Sequence, residues 1–277
     1  MKVDKDLLKL YNIYSVSGTS GEKEICNWIC EKLTELRVTY KRTGNTIYKF
    51  SNANRVLLSA HLDQVSTNGK AEHFYMQGDN IVGYNKVYQR TSLGADDKNG
   101  VWIILKLLEE GVNFDFIISE GEEVGCKGIA KVEEKLKKAS YIYDYCIVLD
   151  RKGTSEILER GSTGPYCKTL AHALRNYLAH TYTVGSGSIS DTATISRYIE
   201  SVNMSVAYDK AHTQLETTDY KSLCKIKEDV KDIIQNFVHY PSLPSDYIVT
   251  YSYTRTPQTS SSIINRGGRY YDYDNWI

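Results

Sequence analysis

Four short apolar runs punctuate this chain, and each gives way to residues suited to chemistry. RVLLSAH (55–61) ends in His61, with Asp63 two positions on. FDFIIS (114–119) runs into Glu120, Gly121, Glu122 and Glu123. YDYCIVLD (143–150) ends in Asp150, and VNMSVAY (202–208) precedes His212. Short runs of this kind read as strands buried in a sheet. Between and around them, 3–14, 20–37, 99–111, 127–139 and 168–179 have a helical pattern. A last helix is expected over 217–240, with Thr217 or Thr218 as its cap. This alternation constrains the chain to an α/β fold, a three-layer sandwich with a mixed, mostly parallel sheet flanked by helices. In open sheets of this type ligands bind beyond the carboxyl ends of the strands. Polar residues far apart in sequence then meet along one edge.

The remaining segments fill in this plan. VTYKRTGNTIYKF (38–50) alternates around Gly44-Asn45 and reads as a hairpin, and 73–88 suggests strands around Gly78-Asp79-Asn80. After Tyr240 the character changes. Residues 241–277 hold three of the chain's four prolines, many Ser and Thr, and repeated tyrosines with little apolar periodicity. The expected organisation is therefore one domain over 1–240 and a Tyr/Ser/Pro-rich tail over 241–277 that is unstructured by itself. A length of 277 residues is within reach of one large α/β domain.

Lys+Arg and Asp+Glu both number 34. With a formal charge of zero, neither nucleic acid nor an anionic membrane is expected as a partner. Charges interrupt the N-terminal segment and no membrane-spanning apolar run is present, so a cytosolic protein is expected. The six cysteines are scattered. Cys26 and Cys30 would share one helix face. They could form a metal or redox pair, but without a CxxC motif they read as small buried apolar residues.

The polar residues at the strand ends have the chemistry of a metal site. SLGADDKNG adds Asp96 and Asp97, in a glycine-bounded loop just before a helix. Two histidines and several carboxylates suit zinc and its neighbours. Acids gathered without cations are costly, and two divalent ions would offset their charge. Each motif also has an ordinary reading. H-x-D can be a surface turn, Asp-Asp a helix cap, Glu-Glu a solvated face, Asp150 a turn residue and His212 an unremarked histidine. Their ordered placement at strand ends is what points to a site.

The order His-x-Asp, Gly-Ala-Asp-Asp-Lys, Glu-Glu-x-Gly, Asp, His resembles the di-zinc exopeptidases, a clan that includes peptidase T, the aminoacylase and carboxypeptidase G group, and the single-domain zinc aminopeptidases. SVSGTSGEKEICNWICEKL resembles their N-terminal helix region and AHTQLETTDYKSL their last ligand segment, so the likeness runs over about residues 10–235. The resemblance implies a phosphorylase/hydrolase-like zinc peptidase fold. It implies two divalent metal ions, zinc or else cobalt or manganese, acting on small peptides. Asp96 would bridge the ions, with Asp97 the other candidate. His61 and Asp150 would bind one ion, Glu123 and His212 the other. Asp63 would orient His61, and Glu122 would be the general base.

Asp150 and His212 stand too close in sequence to enclose the lid or dimerisation domain that many relatives insert there. The expectation is a catalytic domain without a lid, and without the histidine the lid contributes. Asp191 could bind a substrate amine, as an aminopeptidase requires; its ordinary reading is a helix cap. Arg151 or Arg160 could pair a substrate carboxylate, as in a carboxypeptidase or N-acyl amino acid amidohydrolase. A non-catalytic binding module is the third reading, and the full ligand set together with Glu122 argues against it. Glu120 has no assigned role at this level.

Overall fold

The computed structural model describes residues 2–51 and 53–240, and two short strands beyond them. The chain divides into two compact units, Met1–Tyr240 and Pro241–Ile277. In the first, α1 (Lys5–Asn12) and α2 (Ser20–Glu35) precede the hairpin β1 (Lys41–Thr43) and β2 (Thr46–Lys49). Then come β3 (Val56–His61), β4 (His73–Gln77), β5 (Asn80–Tyr84), β6 (Arg90–Thr91), α3 (Ala95–Glu109), β7 (Asp115–Ser119) and α4 (Lys127–Ala139). They are followed by β8 (Tyr145–Arg151), β9 (Glu156–Gly161), β10 (Gly164–Pro165), α5 (Leu170–Tyr177), β11 (Thr183–Ser186) and α6 (Thr192–Ile195). The unit closes with β12 (Ser201–Ser205), β13 (Tyr208–Asp209), β14 (Thr217–Asp219) and α7 (Tyr220–Asn236). In the second unit, β15 (Ile264–Arg266) and β16 (Arg269–Tyr271) pair antiparallel. The rest of the expected tail lies outside the described residues.

The main sheet runs β1-β2-β7-β3-β8-β12-β9-β10, with β11 beside β9. Its centre, β7-β3-β8-β12, is parallel, and antiparallel pairs flank it. Side chains alternate across the strands as the pleat demands. Leu58, Phe116, Ile118, Ile147, Leu149, Val202 and Met204 join one core with α1, α2, α3 and α7. Leu57, Ile117, Cys146 and Val148 join the other, against Ile129, Val132 and Leu136 of α4. Both faces are covered, which is why the strand sequences read as apolar runs rather than as alternation. β4, β5, β6, β13 and β14 form a second, smaller sheet.

Several local expectations need correction. Thr217 and Thr218 do not cap α7. They pair with Val82 and Ile81 as part of β14, and Asp219 caps instead, its carboxylate accepting the Ser222 N–H at 2.9 Å. The strand placed at 202–208 ends at Ser205. β9 and β11 are strands that no apolar run announced. Cys26 is fully buried in the first core and Cys30 packs against its edge, and both are free thiols. Among the described residues no helix is long and apolar enough to cross a membrane.

Candidate metal centre

The parallel strands deliver the candidate residues to one edge. His61 is the last residue of β3 and stands in register with Ser119, the last of β7. Ser59 pairs with Val148, which brings Asp150 alongside His61. The turn before α3 supplies Asp96. Gly94 there has φ +63°, and a Cβ on it would run into Gln64 and Lys98, so glycine alone fits without strain. Asp96 and Asp97 are not helical, and α3 becomes regular only after them. The peptide between them is cis. Gly121, with φ +60°, turns the chain out of β7 and presents Glu122 and Glu123. His212 sits on the loop after β13 with φ 63°.

Asp96 faces both histidines, with one carboxylate oxygen for each. Its Oδ1 lies 3.2 Å from His61 Nε2, and its Oδ2 lies 3.2 Å from His212 Nε2. Asp150 Oδ1 is 3.5 Å from His61 Nε2, and Glu123 Oε1 is 2.8 Å from His212 Nε2. Two clusters result, His61–Asp96–Asp150 and Asp96–Glu123–His212, and within each the ligand atoms lie within 4.8 Å of one another. Asp97 points elsewhere. It accepts the His61 N–H at 3.0 Å and the Gly100 N–H at 3.1 Å.

Asp63 contacts more than the His61 ring. His61 Nδ1 is 3.0 Å from the Asp63 backbone carbonyl and 3.5 Å from its carboxylate. That carboxylate accepts the Glu122 N–H at 3.0 Å, the Glu123 N–H at 3.2 Å and the Ser17 hydroxyl at 2.5 Å. It therefore fixes the glutamate turn as well. Glu22 holds the same turn from behind, accepting N–H groups from Gly121 at 3.0 Å and Gly18 at 3.1 Å. Glu216 grips the Asp96 turn in the same way. Neither Glu22 nor Glu216 stands out in the sequence as part of a site. The available signals were the place of Glu22 at the start of a helix and that of Glu216 inside the last ligand segment.

Other candidates are engaged elsewhere. Asp191 is 2% exposed; one of its oxygens takes the Ser119 hydroxyl and the other has no hydrogen-bond partner. Arg151 pairs with Glu156 at 2.9 Å, and Arg160 is exposed. Glu120 forms an ion pair with Lys131 at 2.7 Å, which accounts for the acid that had no role.

The electrostatics fit bound divalent cations. Burial raises Glu122 to about 9, and although His61 opposes the shift, the charges of Asp150, Asp191 and Glu123 add to it. Burial likewise lifts Asp150 to about 7 against the pull of His61. His212 is pushed up to about 10 by its hydrogen bonds to Asp96 and Glu123. Burial opposes charge on His61, but Asp150, Asp63 and Asp96 hold it well above the usual imidazole range. The cluster is thus short of positive charge, and nearby cations reverse such shifts. Imidazole nitrogens and carboxylate oxygens are the donors zinc accepts.

Three solved structures are similar to this chain. Aminopeptidase PepT from Bacillus cereus superposes with a TM-score of 0.66 at 17% identity, over 83% of this chain and 96% of that one. A tripeptidase from Staphylococcus aureus gives 0.65 at 18%, over 82% and 95%. A Zn-dependent exopeptidase from Parabacteroides distasonis gives 0.57 at 18%, over 83% and 95%. The chain has the zinc-exopeptidase fold. No family profile matches it. The uncharacterized protein YqjE of Bacillus subtilis is 29% identical over 147 residues, which cover 46% of this chain and 38% of that protein.

Proposed function

We propose that this chain is a metal-dependent exopeptidase that hydrolyses small peptides, and specifically an aminopeptidase. The observation that carries this reading is the pair of imidazole–carboxylate clusters sharing Asp96, with Glu122 beside them. His61, Asp150 and Asp96 would hold one divalent ion; His212, Glu123 and Asp96 would hold the other. Such ions supply a water of lowered pKa and polarise the scissile carbonyl. Glu122 would act as the general base, taking a proton from the attacking water and returning it to the leaving amine. Asp63 and Glu22 keep the glutamate turn in place, so that Glu123 would serve as a ligand and Glu122 as the proton carrier. The pairing of Arg151 with Glu156 engages one of the two arginines that could pair a substrate carboxylate, which supports the aminopeptidase reading.

The test is metal content together with hydrolysis of free-amine and N-blocked peptides, in wild type and Glu122→Gln. We expect two equivalents of metal in both proteins and cleavage of free-amine peptides only. The substitution is expected to lower kcat by roughly 10²–10⁴-fold. Metal uptake with no hydrolysis of either peptide class would overturn the enzymatic reading. Preferential cleavage of N-blocked substrates would replace the aminopeptidase with an amidohydrolase.

A further inference from the structure

Glu216 is 1% exposed, and the buried Lys98 acts on its charge without a direct ion pair. All of its hydrogen-bond donors come from one turn. Oε2 accepts the Gly94 N–H at 2.7 Å and the Ser92 hydroxyl at 2.6 Å. Oε1 accepts the Asp96 N–H at 3.2 Å. Burying a carboxylate is unfavourable, and hydrogen bonds recover only part of what water supplied. Here the charge is placed against the backbone of the one residue whose side chain enters both clusters.

The position of Glu216 in the chain matters as much as its bonds. It lies four residues after His212 and directly before β14, whose Thr217 is paired with Val82 of β5. The loop that carries His212 is exposed, and His212 holds a left-handed backbone conformation. A carboxylate at 216 therefore ties the segment carrying one ligand to the turn carrying the shared ligand. Gly94, which opens that turn with φ +63°, is held by the same carboxylate.

We infer that Glu216 is a positioning residue: a strap that sets the backbone of Asp96 and the His212 segment relative to each other before any metal arrives. The inference rests on the reading of the clusters as metal sites. Removing the strap leaves every ligand in place but lets the shared carboxylate and His212 drift independently. Loss of such an outer hydrogen bond typically lowers metal affinity about 10–100-fold.

The experiment is a zinc titration of the full chain, with amide hydrogen exchange of the metal-free protein as a second readout. Glu216→Gln keeps the shape but sets an amide NH₂ against backbone N–H donors. Ser92→Ala is the milder variant should the first fail to fold. Glu200→Gln is the control, because Glu200 is also a carboxylate bound by three backbone N–H groups, those of Lys168, Thr169 and Leu170, but outside the candidate centre. We expect the second zinc equivalent to bind at least tenfold more weakly in Glu216→Gln. Exchange at Gly94 and Asp96 should be faster in that variant, with both quantities unchanged in Glu200→Gln. If wild type takes up two ions and Glu216→Gln matches it, the strap is overturned. Equal weakening in Glu200→Gln would reduce the effect to general stability and overturn it as well. A wild-type chain that takes up no metal overturns the exopeptidase reading and this inference with it.

Discussion

Asp63 shows how one residue can serve two neighbours. Its carboxylate receives the N–H groups of Glu122 and Glu123 while its own backbone carbonyl faces the His61 ring. Asp63→Asn would turn an NH₂ toward one of those N–H groups. It should lower turnover about 10–100-fold, measured as kcat at saturating metal, and undiminished turnover would show that the turn holds itself. The side chains that face the clusters could be picked out in the sequence because their order at successive strand ends resembles that of the di-zinc exopeptidases. The acids behind them were not. Glu22 and Glu216 look like solvated positions until the fold folds them inward, because burial is decided by elements distant in sequence. The same limit applies to Asp191, whose burial under Ser119 is invisible in the local pattern.

At the level of elements, legibility followed burial. β3, β7 and β8 are covered on both faces and appear as apolar runs. β9 carries Glu159 and Arg160 and is only partly buried, so its sequence resembles a loop. The start of α7 was misplaced for a similar reason. Thr217 and Thr218 have good capping side chains, but pairing with β5 extends their backbone, and Thr218 spends its hydroxyl on Tyr11 at 2.8 Å. The cap passes to Asp219. Asp219→Ala should destabilise the protein by about 1 kcal/mol without altering metal content. Chemical unfolding measures the first quantity and metal analysis the second. An unchanged unfolding midpoint would mean that tertiary contacts alone fix the helix start.

For the whole first unit, the parallel strands bring distant residues to one edge, and the order of motifs along the chain carries that information. Stability draws on a different set of charges. Glu200 accepts three N–H groups at the start of α5 and faces His239 at 2.9 Å. Burial would raise its pKa, but His239 and those N–H groups outweigh burial and bring it to about 2. A carboxylate lowered on folding stabilises the folded state above its unfolded value of 4.5, and that contribution disappears as pH falls toward about 2. Glu200→Gln should therefore cost about 1–3 kcal/mol at pH 7, with a smaller gap from wild type near pH 3. Urea unfolding at both pH values tests this, and a gap independent of pH would place the stabilisation in shape rather than charge.

The two histidines differ sharply in their access to water. His61 is 2% exposed, whereas the His212 side chain is 48% exposed. Residence times should differ accordingly. On the proposed reading of the clusters, an ion beside His212 would trade its protein ligands for solvent one at a time, while an ion beside His61 would wait for the interior to open. A chelator added to the loaded protein should then remove metal in two phases, a fast equivalent followed by a slow one. His212→Ala should abolish the fast phase and leave the slow one. A single phase in wild type would mean that both ions leave through one common opening.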